Sequence, residues 1–288
     1  MSHGGPGGLA TWSPLALWQA EPDRGRAAAA ELEQLGYGTI WLGNGPAVLD
    51  VAEELLAATL AVTVATGILN VWTHPDPALV AARARVLNQR YPGRFLLGLG
   101  SGPRNPEQAA KSAYQNLDGY LDRLDQAGLG SRQRVLGSLG PRMLTLAADR
   151  AAGALPLLTT PGHTKLARRL LGPGPLLAVE QGTVLDADPA RARATARLDL
   201  AFYLPKASYR RTLRRLGFTE DDLGGGGSDR LVDALVPHGL PSIGTRIREH
   251  LAAGADQVAV QPLTPRTHAE SRVRALPREE FRRLAALA

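Results

Sequence analysis

The chain contains no cysteine, which excludes disulfides, thiolate nucleophiles and zinc–cysteine centres together. Lysine is scarce as well, standing only at positions 111, 165 and 206, so arginine carries nearly all of the basicity behind the formal charge of +6. These arginines are scattered along helical segments and not gathered into an arm or stripe with aromatics between them. That distribution argues against nucleic acid as a partner. Enrichment in Arg, Ala and Gly is a compositional mark of a GC-rich genome before it is a mark of function. A modest positive field would also suit a phosphorylated or carboxylated small ligand. No stretch approaches the roughly 18 apolar residues of a membrane span. Residues 1–11 hold four glycines and Pro6 but lack the charged start and apolar run of a secretory signal. They read as a disordered lead-in to a cytoplasmic protein. What the chain does have is length and apolar mass: 288 residues, 44% hydrophobic, enough for one large core. Residues 12–288 are therefore expected to form a single domain.

Short apolar runs alternate with amphipathic helices, the pattern of a parallel sheet built from βα units. Leu15–Trp18, Tyr37–Leu42, Leu60–Thr66, Phe95–Gly100, Arg134–Gly137, Ala154–Leu158, Pro175–Val179 and Gln257–Gln261 make eight expected strands. Ala28, Leu32 and Leu35 share one face of the helix expected over 24–35, ended by Gly36. Asp50 is positioned to cap the next helix, and further helices are expected over 77–89, 106–127, 141–150 and 164–171. The predicted architecture is a (β/α)8 barrel, whose active sites lie at the carboxyl ends of the strands. Between the seventh and eighth strands, residues 188–236 are helical and too long for a plain connection, so they read as an insertion or lid. That insertion contains Gly224–Ser228, a tract with the composition of a flexible linker, and Asp221–Asp222, a solvated helix start. The tail from Arg266 is expected to be helical and to pack on the outer ring.

Several strand-end loops carry candidate chemistry. Gly100, Ser101 and Gly102 let backbone amides approach a ligand closely, or simply make a tight turn. Thr160, Gly162 and His163, just ahead of a helix, offer hydroxyls and free amides at a positive terminus, an anion site or an ordinary capped helix. Ser138, Gly140 and Pro141 begin another helix. His74, before Pro75, is a base or a loop histidine. Glu180 and Gln181 form an acid and amide pair at a strand end, with Glu180 equally suited to pairing an arginine. No His, Asp and Glu grouping has metal-ligand spacing, so no metal is expected. The absence of a GxSxG elbow, with no other nucleophile in view, argues against a hydrolase.

Segments 35–42, 65–70, 91–102, 139–144 and 253–258, in this order, together resemble the luciferase-like monooxygenase superfamily, particularly its actinobacterial coenzyme F420-dependent branch. The most specific is Gly93-Arg94-Phe95-Leu96-Leu97-Gly98-Leu99-Gly100-Ser101-Gly102. The resemblance implies an F420-dependent oxidoreductase moving a hydride between the deazaflavin C5 and a small organic substrate. An FMN-dependent monooxygenase and a non-catalytic flavin or deazaflavin binder are the alternatives. It further implies a non-proline cis peptide at Gly67–Ile68 buttressing the ring, with Asn70 beside it, and a phosphate site at Gly140, Thr160, Gly162 and His163. Trp18, Asn44, Trp72 and Gln181 would line the substrate side under the 188–236 lid. Relatives often dimerise, so a homodimer is one assembly it allows. The chain departs from relatives in having Gly43-Asn44 where many carry an acid–histidine pair, and Pro103 where sugar-phosphate enzymes carry an acid. A proton donor carried over from them is therefore missing, leaving Glu180, His74 or the substrate to supply the proton, or a pure hydride transfer with protonation by solvent.

Overall fold

The computed structural model describes residues 8–102, 112–267 and 274–287. Nine strands run parallel: β1 (Leu9–Ser13), β2 (Thr39–Leu42), β3 (Thr63–Thr66), β4 (Leu69–Asn70), β5 (Phe95–Gly100), β6 (Arg134–Leu136), β7 (Gly153–Ala154), β8 (Leu176–Thr183) and β9 (Gln257–Pro262). β3 and β4 are two halves of one stave, interrupted at Gly67–Ile68, and both pair with β5. The result is eight staves, closed in order, with β1 set between β2 and β9. The fold is the expected (β/α)8 barrel.

Strand alternation separates two cores. Outward-facing residues such as Ile40, Val64, Leu97 and Val179 meet the ring of helices, while Ala10, Trp12, Trp41, Ala65, Leu96, Val135, Leu155, Ala178 and Ala259 fill the barrel interior. Four alanines among these nine leave the room that the two indoles occupy. Closure is tight: a Cβ at Gly98 would lie 1.8 Å from the Thr66 carbonyl oxygen, so only glycine lets β5 lie against β3.

Helices α1 (Leu15–Ala20), α2 (Arg26–Gln34), α3 (Val48–Ala57), α4 (Pro77–Arg90), α5 (Ala113–Gln126), α6 (Pro141–Arg150) and α7 (Pro161–Leu171) follow the first strands. Between β8 and β9 lie α8 (Pro189–Tyr203), α9 (Ala207–Arg215), α10 (Glu220–Leu223), α11 (Asp229–Leu235) and α12 (Leu240–Ala252), and α13 (Arg278–Ala285) ends the chain. The helices α8–α11 carry their own apolar core, including Leu200, Leu213, Leu231 and Val232. The glycine tract is no linker here. Gly225, Gly226 and Gly227 all take positive φ, and the turn is tied down by the Ser228 hydroxyl donating to Asp222 at 2.7 Å. Asp222 is buried in a capping box with Thr219, not solvated.

The first stave corrects the sequence reading. Residues 9–13 form β1, so the lead-in does not extend to 11, and Leu15–Trp18 belongs to α1. Four apolar residues do not distinguish a strand from a helix turn by periodicity, and Pro14 begins the helix by lacking an N–H that a first turn would leave unpaired anyway. The third stave starts at Thr63 and not at Leu60, which is 90% exposed. The Glu33 carboxylate takes the N–H groups of Leu60, Ala61 and Val62 and holds them in a turn. In the opposite direction, β8 runs on to Thr183, placing Glu180 and Gln181 inside the strand.

Candidate active site at the carboxyl ends of the strands

The break between β3 and β4 projects into the barrel mouth. The Gly67–Ile68 peptide bond is cis. Its carbonyl side is held by Trp12, whose Nε1 donates to the Gly67 oxygen at 2.5 Å from the buried inner face of β1. The Ile68 side chain sits over two glycines: a Cβ at Gly100 would lie 2.8 Å from Ile68 Cδ1, and one at Gly137 would lie 3.0 Å from Ile68 Cγ2. A Cβ at Gly102 would meet Asn70 Nδ2 at 2.7 Å. Glycine at these positions lets Ile68 and Asn70 seat close against the strand ends, forming a ledge along one rim of the barrel.

Side chains fix the loop beyond it. Asn44 Oδ1 accepts the Asn70 N–H at 2.9 Å, and Asn70 Oδ1 accepts the Trp72 N–H at 3.0 Å. The Trp72 indole donates to the Ser101 carbonyl at 3.1 Å, joining this loop to the one after β5. His74 Nδ1 lies 3.1 Å from the Asn70 carbonyl oxygen, and Tyr120 donates to the His74 carbonyl. His74 thus braces the loop through its ring and its backbone. Pro103 lies outside the described residues.

Across the mouth, α6 and α7 begin side by side. Gly140 is the N-cap residue of α6 and Thr160 that of α7; neither helix has a side-chain cap or an acidic residue in its first turn. Their first N–H groups consequently have no protein acceptor from a cap. His163, in the first turn of α7, donates through Nε2 to the Leu139 carbonyl oxygen at 2.7 Å, so the imidazole bridges the two helix starts. Because a carbonyl only accepts, Nε2 carries the proton. Nδ1 is buried without a partner among the described residues, as is Thr159 Oγ1. Burial holds the His163 pKa below its usual value, so the ring is neutral at pH 7. Ser138 is turned inward, its hydroxyl donating to the Met143 carbonyl of α6.

Glu180 sits on the inner face of β8, 3% exposed. Its Oε2 accepts the Leu158 N–H at 2.9 Å, and Leu158 takes a positive φ of 54° to present it. Burial, opposed by that hydrogen bond and reinforced by nearby Asp199, pushes the carboxyl up to about 8. It is a neutral acid at pH 7. The Glu180–arginine pairing that composition allowed does not occur among the described residues. The insertion covers this side with Tyr203 and Tyr209, ring centroids 5.0 Å apart, whose hydroxyls burial holds protonated. Burial also lowers Lys206 to about 8. Trp12, Asp199, Tyr203, Tyr209 and Lys206 escaped the sequence reading. Trp12 was hidden by the misplaced first strand, and the other four lie in an insertion with no periodic relation to the barrel.

Two expected substrate-side residues are elsewhere. Trp18 is wholly buried in α1, packed under Gly25 and away from the mouth. Gln181 follows Glu180 in β8 and therefore faces outward, where it joins His250 of α12 at 2.9 Å and donates to the Leu235 carbonyl. A hollow of about 440 Å³ beside α12 is lined by Asp233, Arg246 and Glu249, whose charges are already paired with one another or with Arg193. Among the described residues no group of three His, Asp or Glu could hold a metal ion, and no helix is long and apolar enough to cross a membrane.

Comparison with known proteins agrees with this layout. Residues 5–128 match the family model of the luciferase-like monooxygenases. The chain is 25% identical over 293 residues to 5,10-methylenetetrahydromethanopterin reductase of Archaeoglobus fulgidus, covering 81% of this chain and 88% of that one. Among solved structures, an F420-dependent secondary alcohol dehydrogenase in complex with an F420–acetone adduct superposes with a TM-score of 0.71 at 13% identity, covering 97% and 98% of the two chains. The coenzyme F420-dependent tetrahydromethanopterin reductase of Methanopyrus kandleri gives 0.69 at 18% identity over 96% and 97%. The FMN complex of the oxygenating constituent of 3,6-diketocamphane monooxygenase from Pseudomonas putida gives 0.64 at 14% over 88% and 92%. Residues 5–128 are thus similar to the luciferase-like monooxygenase family model, and the whole chain shares the (β/α)8 barrel fold of these structures.

Proposed function

We propose that this protein is an oxidoreductase using coenzyme F420, moving a hydride between the deazaflavin C5 and a small organic substrate. One observation carries the reading: a ledge seated on glycines at 67, 100, 102 and 137 shares the barrel mouth with two acid-free helix starts at 140 and 160. A tricyclic ring needs the first and its phosphate needs the second. The residues fit such a group, since the glycines let Ile68 and Asn70 seat close against the strand ends and the helix starts hold orphaned buried polar atoms. Gly67, Ile68 and Asn70 would hold the ring, with Gly100, Ser101 and Gly102 alongside. Gly140, Thr160, Gly162 and His163 would hold the phosphate, with Ser138 and Pro141 shaping that helix start. Asn44 and Trp72 face the substrate side.

Bound there, the cofactor supplies the hydride; the protein supplies orientation and the proton. Reducing a polarised double bond by hydride needs one proton as well, and Glu180 is the buried acid still protonated at neutral pH. It would stand in for the acid that sugar-phosphate enzymes of the family carry at the position of Pro103. Oxidation runs in reverse, with the carboxylate accepting the proton. The tyrosines of the insertion keep bulk water from that exchange.

The likeness to the FMN-bound monooxygenase favours a second reading, in which FMN occupies the same place. Titration of the purified protein with F420 and with FMN, followed by ring fluorescence, separates them. Binding of F420 with no binding of FMN is expected. Binding of FMN alone would move the assignment to a monooxygenase, and tight binding without any substrate-dependent spectral change would leave a non-catalytic carrier.

A further inference from the structure

α9 places four arginines within six residues, and they divide into two faces. Arg210 and Arg214 both pair with Glu220. Arg211 and Arg215, one helical turn apart and so on a common face, are exposed and have no hydrogen-bond or ion-pair partner among the described residues. Arg215 is not out in solvent alone. Its Nη1 lies 3.5 Å from where a Cβ on Gly140 would stand, the nearest atom among the described residues apart from Gly140's own chain neighbours. Gly140 is the N-cap residue of α6, so a guanidinium is parked over the positive end of a helix.

Electrostatics makes that arrangement informative. Helix starts favour carboxylates by about 0.3–1 kcal/mol and disfavour cations by a similar amount. Here α6 and α7 have no acid in their first turns, and α6 has Arg142 as its second residue, stacked on Tyr114 at 3.8 Å. Cations therefore gather where the helix dipoles repel them. An anion lying between the helix starts and the arginines would reverse every one of these repulsions. A second observation points to the same ligand. Thr159, which precedes the N-cap residue of α7, is 1% exposed, and its hydroxyl, a donor that an anion would satisfy, has no partner among the described residues.

We propose that Arg215, supported by Arg211, is an anion clamp contributed by the insertion, closing over the phosphate held at the starts of α6 and α7. The ligand class is a phosphate ester with a further negative charge along its chain, which Arg211 meets one turn back. Arginine suits this role because its planar fork binds phosphate oxygens in pairs. The insertion would then do more than cover the substrate: it would order around the cofactor's anionic end. This assignment rests on the F420 reading for the identity of the ligand, but not for the existence of the site.

The test compares wild-type protein with Arg215→Ala, Arg215→Lys and Arg211→Ala in binding F420, the phosphate-free deazaflavin nucleoside analogue, and inorganic phosphate. Arg215→Ala should weaken F420 binding about 10- to 100-fold, the loss of one charge-assisted contact. It should leave the phosphate-free analogue unchanged and reduce the salt dependence of F420 binding. Arg215→Lys should recover part of the loss, and Arg211→Ala should show a smaller one. Equal losses for F420 and the phosphate-free analogue, or no loss for either, would overturn the clamp. Should wild-type protein bind no F420, the cofactor reading fails separately. The clamp then stands if inorganic phosphate raises the melting temperature of wild type but not of Arg215→Ala, and falls if both respond alike.

Discussion

Glu180 shows how one residue acquires a property that its chemistry alone does not give. A glutamate titrates ordinarily near 4.5; enclosed on the inner face of β8 with one backbone N–H to accept, it titrates near 8. Two consequences follow at this scale. Glu180→Gln should lower kcat about 10²-fold or more while leaving cofactor affinity unchanged, and should remove the alkaline fall of rate near pH 8. A fall in cofactor affinity equal to the fall in kcat would instead make Glu180 a binding residue. The same shift acts on stability. The folded pKa lies above the unfolded one, so the acid's contribution is fully present below about 4.5 and is lost as pH rises through 8. Relative to the glutamine variant, wild type should lose at most about 1.4 kcal/mol per pH unit across that window, measured by urea unfolding.

Among the elements, α12 is tied to the barrel by a buried polar thread and not by apolar packing alone. His250 of α12 meets the Thr164 hydroxyl of α7 at 2.8 Å and Gln181 of β8 at 2.9 Å. Since Gln181 Oε1 only accepts, Nε2 donates to it and Nδ1 accepts from Thr164, which requires neutral imidazole. Burial, with Arg246 and His163 nearby, lowers this group to about 3. Its contribution to stability is therefore full above pH 6.5 and is lost as pH falls towards 3. His250→Gln should cost about 1–3 kcal/mol at pH 7 through a disturbed buried network, yet flatten the acid limb of stability between pH 6.5 and 4. An unchanged acid limb in denaturant titrations would show that other groups set it. The same element explains the misplacement of Gln181: the strand continues past 179, so successive residues point to opposite faces.

For the molecule as a whole, separate cores imply two levels of stability. The barrel is filled inside and sheathed outside by apolar cores built on its strands, whereas α8–α11 pack around a core of their own. Amides of α8–α11 should exchange with deuterium at lower opening free energy than those of β1, β8 and β9, and adding the bound cofactor should slow the insertion more than the barrel. Uniform exchange across both would mean that the insertion unfolds only with the barrel, and would remove its freedom to close.

Much of this was legible in the residues. The alternation of short apolar runs and helices announced eight staves. The glycine-rich strand ends at 67, 100 and 102 marked where the backbone is approached closely, because glycine alone tolerates such contact. Trp12, by contrast, was invisible once Leu15–Trp18 had been read as the first strand. A run of four apolar residues fits either a strand or a helical turn, and only the register against β2 and β9 decides. The same holds for Arg215, whose partner Gly140 is 75 positions away, and for Glu180, whose acidity depends on what surrounds it. Local pattern and backbone preference act over a few residues, and through them the sequence by itself determined the element order, the barrel and the loops at its mouth. Burial, the opposition of charges and the side of a strand that faces inward arise only when distant segments meet. Tertiary structure alone therefore decided which acid is neutral, which tryptophan holds the ledge and which arginine reaches the helix start.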